Sequence, residues 1–125
     1  MKICDNYEAK IWLGLRKGYT DTYYTHKMVA ELVSAWCTEK GQCVTISPTQ
    51  FVYAKKDEDG EGCEHGVIIG FINYPRYPLS QAEIKNRAIE LGKILMKEFN
   101  QYRVSTTFYP TVPGGTMMLE NEEME

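Results

Sequence analysis

Arginine set beside tyrosine is the chemistry this chain repeats. Asn73-Tyr74-Pro75-Arg76-Tyr77-Pro78 places one guanidinium between two phenol rings in a proline-bracketed loop. Gln101-Tyr102-Arg103-Val104 pairs the same two residue types, and Arg16 precedes a loop that carries Tyr19, Tyr23 and Tyr24. A guanidinium holds a phosphate as a bidentate fork, and an aromatic ring gives a base a face to stack on. The pattern therefore points to a nucleotide-like anion. The loop after Asn73 also empties into Ser80-Gln81-Ala82-Glu83, a capping box that opens a helix, where backbone N–H groups favour negative charge.

Catalytic groups are harder to assemble. His26 and His65 are the two histidines, and neither begins an H-x-T or H-x-S pair. There is no G-x-S-x-G, no glycine-rich phosphate loop and no metalloprotease helix. The cysteines Cys4, Cys37, Cys43 and Cys63 lack C-x-x-C spacing, so they read as reduced thiols. Cys63 and His65 are too local to make a dyad. Asp57, Asp59 and Glu61 imitate the first ligands of an EF-hand, but position twelve would be Ile68, where calcium needs a bidentate glutamate. That stretch reads as a solvated acidic loop. The expectation is of no enzyme, no metal and no cofactor.

Composition narrows the partner. The net charge of −3 conceals an uneven distribution. Nine of the seventeen acids lie in Asp57–Glu64 or after Leu119, and without those two segments and the adjoining Lys55 and Lys56 bases outnumber acids by twelve to eight. Such a body accepts a small anion but lacks the dominant basic stripe of a protein that binds long nucleic acid. No apolar run is long enough to span a membrane, and Met1–Asn6 lacks the apolar core of a signal peptide, so a cytoplasmic location is expected.

The elements that position these residues can be read in order. Lys10–Leu15 alternates as a strand, with Ile11, Leu13 and Leu15 on one face and Trp12 and Gly14 on the other. Thr25 caps a helix to Lys40 that buries Val29, Leu32, Val33 and Trp36 and stops at Gly41. Val44–Ala54 is β-rich, but Pro48 confines it to an edge or a bulge. Val67–Ile72 is apolar on both faces and belongs in the centre. The capped second helix runs to Asn100 with Ile84, Ala88, Leu91, Leu95 and Phe99 as its buried stripe and a Glu83–Arg87 pair outside. Arg103–Tyr109 is a further strand. After the Pro113-Gly114-Gly115 turn, Thr116–Leu119 either pairs back as a fifth strand or crosses to a neighbouring subunit.

The order βαββαβ predicts an α+β ferredoxin-like sandwich, an antiparallel sheet of order 4-1-3-2 with two helices on one face and an extra C-terminal hairpin. Residues 1–119 are expected to form one domain and 120–125 an acidic disordered tail. Strand directions then place Arg16, Arg103 and Tyr102 at one end of the sheet and Asn73, Tyr74, Arg76 and Tyr77 at the other, with Trp12 on the open face. The two ends form either separate sites or halves of one site shared between subunits.

The compact βαββαβ body, the Asn73–Pro78 loop and the Gln101–Val104 strand start resemble the phage anti-Thoeris sponge family. That resemblance implies a homo-oligomer that binds cyclic ADP-ribose-type signals, or cyclic oligonucleotides, without degrading them. The ligand residues themselves come from the physical argument: Arg76, Tyr74, Tyr77, Asn73, Arg16, Arg103, Tyr102 and Trp12. The leading expectation is thus a non-catalytic oligomer that sequesters a nucleotide-derived signal in a phage anti-defence role. Two alternatives stand beside it: a protein-binding inhibitor acting through the sheet face or the acidic loop, and a small metal-free lyase or phosphodiesterase.

Overall fold

The computed structural model describes residues 1–54, 62–110 and 115–124. The calcium-like acids Asp57, Asp59 and Glu61, and the turn at Pro113 and Gly114, lie outside the described residues. Five antiparallel strands form one sheet: β1 (Glu8–Gly14), β2 (Thr45–Val52), β3 (Cys63–Ile72), β4 (Arg103–Tyr109) and β5 (Thr116–Glu120). Their spatial order is β2-β3-β1-β4-β5, the predicted 4-1-3-2 arrangement with the extra strand on the β4 edge. Thr116–Glu120 pairs within the chain, Arg103 opposite Glu120 and Thr107 opposite Thr116.

Two helices cover one face, α1 (His26–Lys40) and α2 (Gln81–Glu98). Thr25 accepts from the Met28 N–H, and Gly41 closes α1 with φ of 66°. That left-handed angle is where glycine avoids a Cβ penalty. The Ser80 capping box is complete, with each partner accepting from the other's backbone N–H. The Glu83–Arg87 pair of the sequence reading gives way to this arrangement: Glu83 serves the cap, and Arg87 Nη1 donates to Gln42 Oε1 at 2.7 Å.

Alternation along the strands separates the two sheet faces. Ala9, Ile11 and Leu13 of β1 and Val67, Ile69 and Phe71 of β3 are buried under the helices with Val29, Val33, Trp36, Leu91 and Leu95. Trp36 meets Phe71 edge-on at 6.0 Å between centroids. Lys10, Trp12 and Gly14, with Gly66, Ile68 and Gly70, therefore line the opposite face, which neither described helix covers. Pro48 lies on the β2 edge, where its missing N–H costs no ladder bond.

Two boundaries differ from the sequence reading. β3 begins at Cys63 rather than Val67, because Glu64 and His65 pair with Phe51 and Gln50 of β2. The segment after Leu119 is tied to the body: Asn121 is buried, its N–H bonds the Tyr102 carbonyl at 2.9 Å and its amide bonds the Gln101 carbonyl at 3.1 Å. Glu122–Met124 then forms a single 3₁₀ turn.

Candidate active site

The C-terminal end of β1 and the start of β3 meet at two glycines, Gly14 opposite Gly66. Neither carries a side chain, and neighbouring side chains take the space on the open face: the Phe51 ring covers Gly66. Glu64 of β3 and Gln101, from the connection between α2 and β4, reach over Gly14. A Cβ on Gly14 would lie 3.1 Å from both Glu64 Oε2 and Gln101 Oε1. Gly14 thus makes room for side chains on the open face, not for a helix.

Gln101 is held firmly. It is buried, and its amide N–H groups bond the Arg16 carbonyl and, at 2.8 Å, the Phe99 carbonyl. The turn that aims it here passes through Asn100 at φ of 48°, a left-handed position that asparagine tolerates better than most residues. The Asn100 side chain in turn bonds the Tyr24 hydroxyl.

Arg16 brackets the other side of the carboxylate. Its Nε and Nη2 donate to the Tyr23 hydroxyl at 3.2 and 2.8 Å, and its guanidinium lies 5.4 Å from the centroid of that ring. Burial pushes the Glu64 carboxyl above its ordinary value, while the Arg16 charge and backbone N–H pull it back without cancelling the rise. Tyr19 stacks on Tyr102 with centroids 4.4 Å apart and planes 22° from parallel, and Tyr19 is 78% exposed. Its outer face is open for a further ring. Tyr53 and Arg103 complete a cleft of about 270 Å³.

Arg16, Arg103 and Tyr102 thus come together as the strand directions require. Tyr19, from the loop that follows Arg16, lies with them, and Glu64, Gln101 and Tyr53 join them unforeseen. The signal for Glu64 was present: counting back in twos from Ile68 puts it on the open face with Gly66. It was instead counted among the charges of the acidic loop. Trp12 lies on the same face, nearer the middle of the sheet, with its Nε1 donating to Thr107 at 3.4 Å.

The Arg76 end is a separate place. Ile72 and Glu64 are at opposite ends of β3, roughly 25 Å apart at strand rise. Tyr74, Tyr77 and Arg76 line a groove of about 630 Å³ with the end of α1. Asn73 is buried and spends its side chain internally, donating to the Asp5 carbonyl at 2.9 Å and accepting from the Leu79 N–H at 2.8 Å. It fixes the loop that carries the ring residues. Within one chain the two ends do not merge.

The four cysteines are free thiols, and among the described residues no three histidine, cysteine or acidic side chains gather as metal ligands. No described helix is long and apolar enough to cross a membrane.

No protein-family model matches the chain, and no curated protein matches it. Two solved structures do. A phage SAM lyase in complex with S-methyl-5'-thioadenosine aligns with a TM-score of 0.74 at 21% identity, over 96% of this chain and 93% of that one. A phage SAM lyase in the apo state aligns with a TM-score of 0.73 at 22% identity, over 93% and 90%. At such identities the likeness shows the fold. It also corrects the leading expectation: the chains that match this one along nearly their whole length are phage lyases, one with a nucleoside ligand, and not sponges. Non-catalytic sequestration of a cyclic signal is therefore set aside, and the lyase alternative is the one the comparisons favour.

Proposed function

We propose that this chain is a lyase acting on a sulfonium nucleoside of the S-adenosylmethionine type, with its site at the Glu64 cleft. The observation that carries the reading is a half-buried carboxylate with a raised pKa, poised over Gly14 between Arg16 and the rigid Gln101. The resemblance to two phage SAM lyases supplies the substrate class.

The chemistry suits the residues. A sulfonium is already activated, because breaking its C–S bond sends the electron pair to sulfur and releases a neutral thioether. A lyase adds no water, so the carbon left behind is satisfied within the substrate, by its own carboxylate or by loss of a neighbouring proton. Glu64 faces the cation and loses that attraction once the thioether forms. It therefore favours the charged substrate over the uncharged product. A carboxylate with a raised pKa is also suited to take up a proton. The exposed face of Tyr19 offers the adenine a stacking partner, and Arg16 and Arg103 lie where an amino-acid carboxylate would be held.

A cleft of about 270 Å³ is small for a nucleoside, since small-molecule sites usually enclose 300 Å³ or more. Its rim is apolar and exposed at Tyr19 and Tyr53. A homo-oligomer in which a second copy closes the open sheet face would complete it. In a host cytoplasm, removal of the methyl donor would be an anti-defence action.

The test is direct. Purified protein is incubated with S-adenosylmethionine, and S-methyl-5'-thioadenosine is followed by chromatography. Wild type should form it, and Glu64→Gln should lower kcat/KM by about tenfold or more, as expected for a charge-assisted contact worth about 1.5–3 kcal/mol. A rise in KM alone assigns Glu64 to substrate binding; a fall in kcat assigns it to the proton. Intact substrate after prolonged incubation with a folded oligomer would refute the proposal.

A further inference from the structure

The groove at the Arg76 end is not used by the reaction proposed above, yet it has the features of a binding site. It is formed where the end of α1, through Gly41 and Cys43, faces the Asn73–Leu79 loop and the start of α2. Its volume of about 630 Å³ lies within the ordinary range for small-molecule sites. Ile72, Leu79 and the rings of Tyr74 and Tyr77 supply apolar walls, and Arg76 and Arg87 supply charge. Among the described lining residues there is no carboxylate to neutralise them.

Both cations are prepared for a ligand. Gln42 accepts from Arg87 Nη1 at 2.7 Å while its own amide donates to the Cys43 carbonyl at 3.0 Å. That chain of bonds fixes a half-buried guanidinium but uses one of its five N–H donors. Arg76 lies 5.4 Å from the centroid of the Tyr77 ring, so its plane is held against an aromatic face. The Tyr74 phenol shares a hydrogen bond with the Cys43 thiol, and this contact with burial pushes it up to about 12. It stays a neutral hydroxyl beside the cations at physiological pH.

The geometry points to a second small-molecule site in this groove, specific for a planar ring that bears one carboxylate or phosphate: the ring lies among Tyr74, Tyr77, Ile72 and Leu79, and the anion is held by Arg87 and Arg76. The inference is independent of the Glu64 reading, because the two sites share no residue and lie at opposite ends of the sheet.

Amide chemical-shift titration of the full chain tests it. Adenosine 5'-monophosphate serves as the phosphate probe and salicylate as the carboxylate probe, with adenosine and salicylamide as uncharged controls. At least one anion should saturate, with shifts concentrated at Gly41–Cys43, Ile72 and Tyr74–Leu79. Which anion saturates identifies the headgroup. Its uncharged control should bind at least tenfold more weakly. Arg87→Ala and Arg76→Ala should each weaken binding about tenfold or more, and Glu64→Gln should leave it unchanged. Should Arg87→Ala disturb the fold, Arg76→Ala at its exposed position carries the comparison. The proposal is overturned if neither anion saturates by about 10 mM, if charge makes no difference, or if the shifts gather at Arg16 and Glu64 instead.

Discussion

Gly14 and Gly66 face each other across the central strand pair, and the same substitution should have different consequences at the two positions. A Cβ on Gly66 would lie 2.3 Å from Phe51 Cε2 and 2.6 Å from the Leu13 carbonyl oxygen. The ring can rotate. The carbonyl belongs to the backbone of β1, and reaching an ordinary contact of 3.4 Å requires β1 and β3 to part by about 0.8 Å there. Beside it, the Leu15 N–H bonds the His65 carbonyl at 2.9 Å. Lengthening that bond by the same amount breaks it. Losing one or two such bonds costs about 0.5–1.5 kcal/mol each, and an off-rotamer Phe51 adds about 0.5–1.5 kcal/mol. Alanine returns about 0.4–1 kcal/mol by restricting the unfolded chain. The net is a loss of about 1–3 kcal/mol.

At Gly14 the new Cβ meets only the Glu64 and Gln101 side chains, at 3.1 Å. Both must yield by about 0.3 Å; Glu64 is free to swing, and Gln101, pinned through its amide N–H groups by two backbone carbonyls, has only its Oε1 to move. That movement leaves the ladder intact, and the entropic gain offsets its cost. Thermal melts followed by circular dichroism should therefore show Gly66→Ala lower by roughly 4–12 °C, at about 4 °C per kcal/mol for a domain of this size. Gly14→Ala should stay within about 3 °C of wild type, and under the proposed lyase function its turnover of S-adenosylmethionine should fall. Equal melting of all three proteins, or a loss at Gly14 matching that at Gly66, would refute the placement of the two glycines.

Two further outcomes bear on stability. Glu64 has its native pKa raised by burial, so the folded state binds its proton more tightly than the unfolded chain does. Its favourable contribution is complete below the unfolded glutamate value and is lost as pH rises through that value to the raised native one. Glu64→Gln should accordingly melt higher than wild type at neutral pH, with the advantage shrinking as pH falls through the raised native value and gone once the buffer is below about pH 4; an advantage independent of pH would contradict the burial argument. Ser80→Ala removes the acceptor for the Glu83 N–H and breaks the capping box of α2, which should cost about 1 kcal/mol in denaturant unfolding with the m-value unchanged.

Much of the fold was legible because its signals are local. Ser80 and Glu83 announce the start of α2, Gly41 the end of α1, and Pro48 the edge position of β2, each through backbone chemistry confined to a few residues. Element order then did the rest, since right-handed crossovers leave few arrangements for βαββαβ. The candidate site was legible only in part. Strand direction brings Arg16 beside Arg103, but the reach of Gln101 depends on one left-handed residue, Asn100, and the placement of Glu64 on β2–β3 pairing that begins four residues before the apolar run. Both are matters of register and turn geometry, set by contacts between segments far apart in sequence.

The difference matters because arginine and tyrosine occur at both ends of the sheet, and their presence alone argues for the same ligand twice. One carboxylate separates the ends. At the Arg76 groove, two guanidiniums face apolar walls with no acid among the described lining residues, an environment matched to an anion. In the cleft at the other end, Glu64 lies against Arg16, so positive and negative groups of a single ligand can both be met at one place. S-adenosylmethionine has that character, with a sulfonium at one atom and a carboxylate a few bonds away. A strand residue counted as loop charge thus changes the chemistry inferred for the protein, from holding an anion to handling a cation whose charge disappears as its bond breaks.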